Sequence, residues 1–72
     1  MSKYEKLWKY IKKRNKEELV LTFEEIKKIL DFEIDHSFLT YKKELEDYGY
    51  QVEKISMKNQ KIIIKKKEEK YL

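Results

Sequence analysis

The chain has no cysteine and no proline, and among its 72 residues there is one glycine, one histidine and one arginine. Without cysteine there is no disulfide framework and no thiolate zinc site, a composition that suits a reducing compartment. A lone histidine, His36, has no second imidazole or thiolate with which to share a metal, so neither a metal nor a cofactor is expected. Nor is there an apolar run near the ~20 residues of a membrane span, or the apolar core of a signal peptide, and the expected location is cytoplasmic. A domain this short buries only about 60% of the surface its unfolded chain exposes, for a margin of about 3–5 kcal/mol, which leaves no room for a catalytic cleft beside a core. The carboxylates Glu24, Glu25, Glu44, Glu46 and Asp47 fit capping or exposed helical positions better than an acid–base pair, and no enzymatic activity is expected.

What is present argues for a folded domain. Charged residues make up 44% of the chain, but hydrophobic residues make up 40% and include one Trp, six Tyr and three Phe, enough for a small core. Tyr4, Leu7, Trp8 and Ile11 recur at helical spacing and predict a helix over 3–13, its other face carrying Lys3, Lys6, Lys9, Lys12 and Lys13. That lysine face reads most simply as solvated. Polar residues 14–18 break the pattern, and Leu19, Val20 and Leu21 then form an apolar run too short for a helix, which predicts a short strand.

Thr22 with Glu25 three residues on is a capping-box signature. It opens a second helix with Phe23, Ile26, Ile29 and Leu30 on its buried face, ending near Asp31. Phe32 and Ile34 are expected under the turn that follows. Asp35 or Ser37 is the expected N-cap of a third helix, with Phe38, Leu39 and Leu45 buried and Tyr48 at its end. Gly49 follows as the left-handed residue past the helix terminus. The remainder reads as a β-hairpin: Tyr50 and Val52 share one parity while Ile55 and Met57 take the other, so a bulge near Glu53 and Lys54 is expected to shift the phase. Lys58 and Asn59 supply the turn, with Asn59 suited to positive φ, and the run Ile62–Ile64 anchors a returning strand from Lys61 to Lys65.

Taken in order, helix, short strand, LTFEEI helix, a third helix whose end reads Leu45-x-x-x-Gly49, and a hairpin resemble the winged helix-turn-helix domains of transcription regulators and of many phage and plasmid proteins. The KYxxLWxYI pattern at 3–11, with LTFEEI and YGYQV, also resembles a small uncharacterised family of bacterial domains, from which no activity carries over. The resemblance implies an α+β winged helix with a three-stranded antiparallel sheet over residues 1–67, followed by a charged tail at 68–72.

Such a fold implies DNA binding, and the charge pattern bears on it unevenly. Residues 1–17 hold seven basic and two acidic side chains (net +5), residues 18–50 four and nine (net −5), and residues 51–72 seven and three (net +4). Phosphate affinity arises from lysine or arginine placed where the duplex lies. The first part of the third helix, which meets base edges in helix-turn-helix docking, offers Ser37, Thr40 and Lys43; the wing offers Lys54, Lys58, Lys61 and Lys65 for the phosphate backbone. With Arg14 the sole arginine, guanine readout would fall to Lys43. So few contacts suggest action as a homodimer or within a larger assembly. The alternative is a protein-interaction module that meets a basic partner through Glu44, Glu46 and Asp47 or through the exposed sheet edge, with no DNA involved.

Overall fold

A computed structural model describes residues 2–67; the tail expected at 68–72 lies outside them. The first helix, α1, spans Glu5–Arg14, with Glu5 in its first turn and Lys12, Lys13 and Arg14 in its last, charges that complement the helix dipole. Tyr4, Leu7, Trp8 and Ile11 are all at most 1% exposed, as their spacing requires. Asn15 closes the helix at φ 50°, a left-handed position that asparagine tolerates, and donates its backbone N–H to the Ile11 carbonyl.

Strand β1 (Glu18–Thr22) runs directly into α2 (Phe23–Leu30). Thr22 ends the strand and caps the helix: its Oγ1 accepts from the Glu25 backbone N–H, while the Glu25 carboxylate accepts from the Thr22 N–H, each at 3.1 Å. The Phe23 N–H donates to the Gln60 carbonyl at 2.8 Å, which ties the start of α2 to the hairpin. Asp31 ends α2 at φ 68°.

The third helical region departs from expectation. It is α-helical only over Ser37–Tyr41 (α3) and tightens into a 3₁₀ helix over Lys42–Tyr48. In this second part Leu45 is buried, with Lys42 and Tyr48 half-buried on either side of it at spacing three, the period at which 3₁₀ side chains eclipse. Neither expected residue is the N-cap: His36 holds that place with no side-chain cap hydrogen bond, while Asp35, one residue earlier, accepts the Ser37 N–H at 2.9 Å and the Ser37 hydroxyl on its Oδ1. Leu39, expected in the core, is 53% exposed: Phe38 takes the inward position and its neighbour is turned about 100° away. Gly49 ends the 3₁₀ helix at φ 87°, as its place in the chain predicted.

Strands β2 (Tyr50–Ser56) and β3 (Lys61–Lys66) complete a three-stranded antiparallel sheet of order β1-β3-β2. The register shifts between Val52 and Lys54, so Glu53 is the extra residue of a bulge, and Val52 and Ile55 both fall opposite buried isoleucines, Ile64 and Ile62. The turn uses Met57–Gln60, and positive φ falls on Gln60 (51°), not on Asn59. Gln60 is the residue that returns the chain into β3, while the Asn59 N–H donates to Ser56 Oγ at 3.3 Å.

One sheet face carries Leu21, Tyr50, Ile62 and Ile64 into a core shared with the helices. Its aromatic centre is Tyr4, whose ring lies 5.8 Å from Trp8, 5.9 Å from Phe32 and 5.5 Å, edge-on, from Phe38. The result is an α+β fold with its helices against one face of the sheet. By strand alternation the opposite face carries Val20, Lys54, Lys61, Ile63 and Lys65.

Candidate interaction groove

The seven residues expected to touch DNA do not form one surface. Ser37 is half-buried, and its hydroxyl is engaged by Asp35 and, at 2.8 Å, by the Tyr4 hydroxyl. Thr40 and Lys43 are exposed on α3 and the 3₁₀ helix, and Lys58 is exposed in the turn. Lys54, Lys61 and Lys65 belong to the outer sheet face, turned away from the side on which the helices pack, and Lys65 lies 3.3 Å from the Glu53 carboxylate.

The acidic residues divide in a similar way. Glu44, expected on an outer acidic surface, is instead an internal tie. Its Oε1 accepts the Trp8 indole N–H at 3.0 Å and the Ser2 hydroxyl, binding α1 and the segment before it to the 3₁₀ helix. The hydrogen bonds from Ser2 and Trp8 hold the Glu44 carboxyl below the usual carboxylate range. Glu46 pairs with Lys67 at 3.0 Å, and Asp47 alone of the three has no such tie among the described residues. Asp35 is also held well below its ordinary pKa, first by the Ser37 hydroxyl and N–H and then by Lys3, whose ammonium lies 3.2 Å away.

A groove of about 960 Å³ opens where the start of α2, the 33–36 loop, α3 and the hairpin tip meet. Its apolar lining is Phe23, Ile34, Phe38, Leu39, Ile55 and Met57. Of the four large hydrophobic residues exposed among the described residues, Leu39 (53%) and Met57 (73%) both lie here; the other two are Val20 and Tyr41. Singly exposed apolar side chains are ordinary, but two converging on one concavity with four others half-buried or buried behind them are not. The polar lining is Glu24, Glu33 and Asp35 against Lys27, with His36 and Gln60. Lys27 is itself 3.6 Å from Glu33. The groove is therefore lined by six apolar side chains and three carboxylates, of which Glu33 is paired with Lys27 and Asp35 with Lys3.

Sequence reasoning missed both anchors of this groove. Leu39 followed Phe38 in an apolar pair, and adjacent helical residues can both be buried, as Leu7 and Trp8 are, so the pair gave no signal that Leu39 faces out. Met57 shared the parity of Ile55, and only the position of the turn places it past the end of β2.

A second, smaller cleft of about 530 Å³ shares no residue with the groove and is basic, lined by Lys12, Lys66 and Lys67 around Asn15. The Lys66 ammonium and the Tyr50 hydroxyl both donate to Asn15 Oδ1, at 2.9 and 3.2 Å. Among the described residues no group of three metal-ligating side chains comes together, and no helix is long and apolar enough to cross a membrane. No family model, curated protein or solved structure matches the chain.

Proposed function

We propose that the chain is a winged helix-turn-helix module whose function is to hold a protein partner in the groove between α2, α3 and the hairpin. The connectivity α1-β1-α2-α3-β2-β3, with β3 between β1 and β2, supports the winged-helix part of this reading. One observation carries the rest: the surface between third helix and wing, where a DNA-reading member would present positive charge, has Leu39 and Met57 exposed within an acidic surround. Phosphate is repelled by that lining, whereas an apolar concavity with charged edges is the ordinary anatomy of a protein-binding site.

A second reading, DNA binding, is favoured by a different observation. Lys54, Lys61 and Lys65 share the outer sheet face, with Lys58 at the adjoining turn.

Titrating isotope-labelled protein with a duplex of about 20 base pairs, two helical turns, at low and near-physiological salt separates the two. A partner-binding groove predicts that amides 36–43 stay unshifted at both salts, any low-salt response being confined to the outer sheet lysines. Shifts that persist at near-physiological salt, whether over 36–43 or over the outer sheet lysines, would refute it in favour of DNA binding.

A further inference from the structure

We propose that the groove's occupant is a basic amphipathic helix of a partner protein, its apolar side chains seated between Leu39 and Met57 and its lysines or arginines facing Glu24, Glu33 and Asp35. This rests on the partner-binding reading above and names the chemistry of the partner.

Four observations select that occupant. The groove is far larger than one side chain requires, so it suits several anchors at helical spacing, the i, i+3, i+4 pattern by which a helix fills an apolar groove. A strand added to the sheet at the neighbouring edge is disfavoured, because β2 carries the Glu53 bulge and a bulge disrupts the ladder a new strand would need. Three carboxylates line the groove against Lys27 within it and Lys3 beside Asp35, and the remaining negative charge favours a cationic occupant over nucleic acid or anionic lipid. A second copy of the chain does not supply such a helix: α1 is its basic amphipathic helix, and the apolar face of α1, Leu7, Trp8 and Ile11, is at most 1% exposed.

Leu39 and Met57 already present more than half of their surface outside the core, so the occupant gains them without disturbing it. Glu24 and Glu33 are likewise exposed, and reversing them alters the electrostatics of the groove while leaving the core untouched.

The test is a titration of isotope-labelled full-length protein with a short synthetic amphipathic helix of leucine and lysine, and in parallel with its leucine–glutamate and leucine–glutamine counterparts. Leucine–lysine peptide should shift the amides of Phe23, Lys27, Ile34, Leu39, Ile55 and Gln60, with saturation at sub-millimolar concentration. Binding should weaken about tenfold in Glu24→Lys/Glu33→Lys and be lost in Leu39→Ser/Met57→Ser, while the glutamate peptide leaves the spectrum unchanged. Equal or tighter binding of the glutamate or glutamine peptide at the same amides would overturn the basic partner and leave the protein-binding groove standing. Shifts confined to other surfaces, or shifts over the groove that depend on protein concentration alone, would overturn the groove as the site for such a helix. Silence toward all three peptides, with a duplex shifting 36–43, would overturn the partner-binding reading itself.

Discussion

Removing the Glu44 carboxylate should destabilise the protein far more than the partial exposure of that side chain suggests. The Trp8 side chain is 1% exposed, and its indole N–H has the Glu44 Oε1 as its partner at 3.0 Å. Glu44→Ala leaves that donor buried without an acceptor, which costs about 1–3 kcal/mol; the Ser2 hydroxyl, less enclosed, can turn to water and adds little. A domain of this size has a margin of about 3–5 kcal/mol, so the substitution removes about a fifth of it or more. At about 4–8 °C per kcal/mol, the midpoint should fall by about 5–20 °C. Glu44→Gln keeps a carbonyl acceptor and should recover more than half of the loss. Trp8 is the only tryptophan, so its fluorescence during thermal unfolding reports the site directly, with circular dichroism as the check on the whole fold. In a Trp8→Phe background, which has no indole N–H, Glu44→Ala should have much less effect, since a double-mutant cycle isolates the shared interaction. A Glu44→Ala midpoint within about 1 °C of wild type would refute the tie between α1 and the 3₁₀ helix.

Three further outcomes follow from the same structure. Glu44 and Asp35 both titrate lower in the folded chain than in the unfolded one, so their stabilisation is complete above the ordinary carboxylate pKa of about 4 and is lost as pH falls through the lower folded values; acid unfolding of Glu44→Ala should therefore be flatter below about pH 4 than that of wild type. Gly49→Ala should cost about 1 kcal/mol in denaturant unfolding from backbone conformation alone, because φ is +87° and an added Cβ meets nothing within 4 Å. Leu39→Ser and Met57→Ser should each stay within about 0.5 kcal/mol of wild-type stability, whereas Phe38→Ala, at 2% exposure, should cost about 3–5 kcal/mol and leave little folded protein.

Much of the fold was legible because short-range chemistry and long-range packing agree. The Thr22–Glu25 box, the Gly49 terminus and the Glu53 bulge each solve a local problem that the residue pattern states on its own: an orphan amide, a left-handed turn, a change of parity. The third helix was harder, since a stripe at spacing three or four is compatible with both α and 3₁₀ winding and the choice depends on how Lys42, Leu45 and Tyr48 meet the sheet. Which of Phe38 and Leu39 faces inward depends equally on that docking. Asparagine's tolerance of positive φ pointed to Asn59, but the turn's position relative to the β3 register puts the left-handed residue at Gln60. The site was legible least of all. Groups distant in sequence build it, and the same distances turn Glu44 from an expected surface charge into the acceptor for Trp8 and bring Leu39 and Met57 to one groove.

On the proposed function, the surface between α3 and the hairpin is kept from DNA by its own acids and shaped for a protein. Fluorescence anisotropy of a labelled duplex of about 20 base pairs, at near-physiological salt, measures this most directly when wild type is compared with Glu24→Lys/Glu33→Lys. Acids that exclude phosphate predict negligible binding by wild type and a gain of at least about tenfold on reversal, as two charges beside the groove change sign. Tight binding by wild type that the reversal leaves unchanged would contradict the claim and return the duplex to the surface between helix and wing.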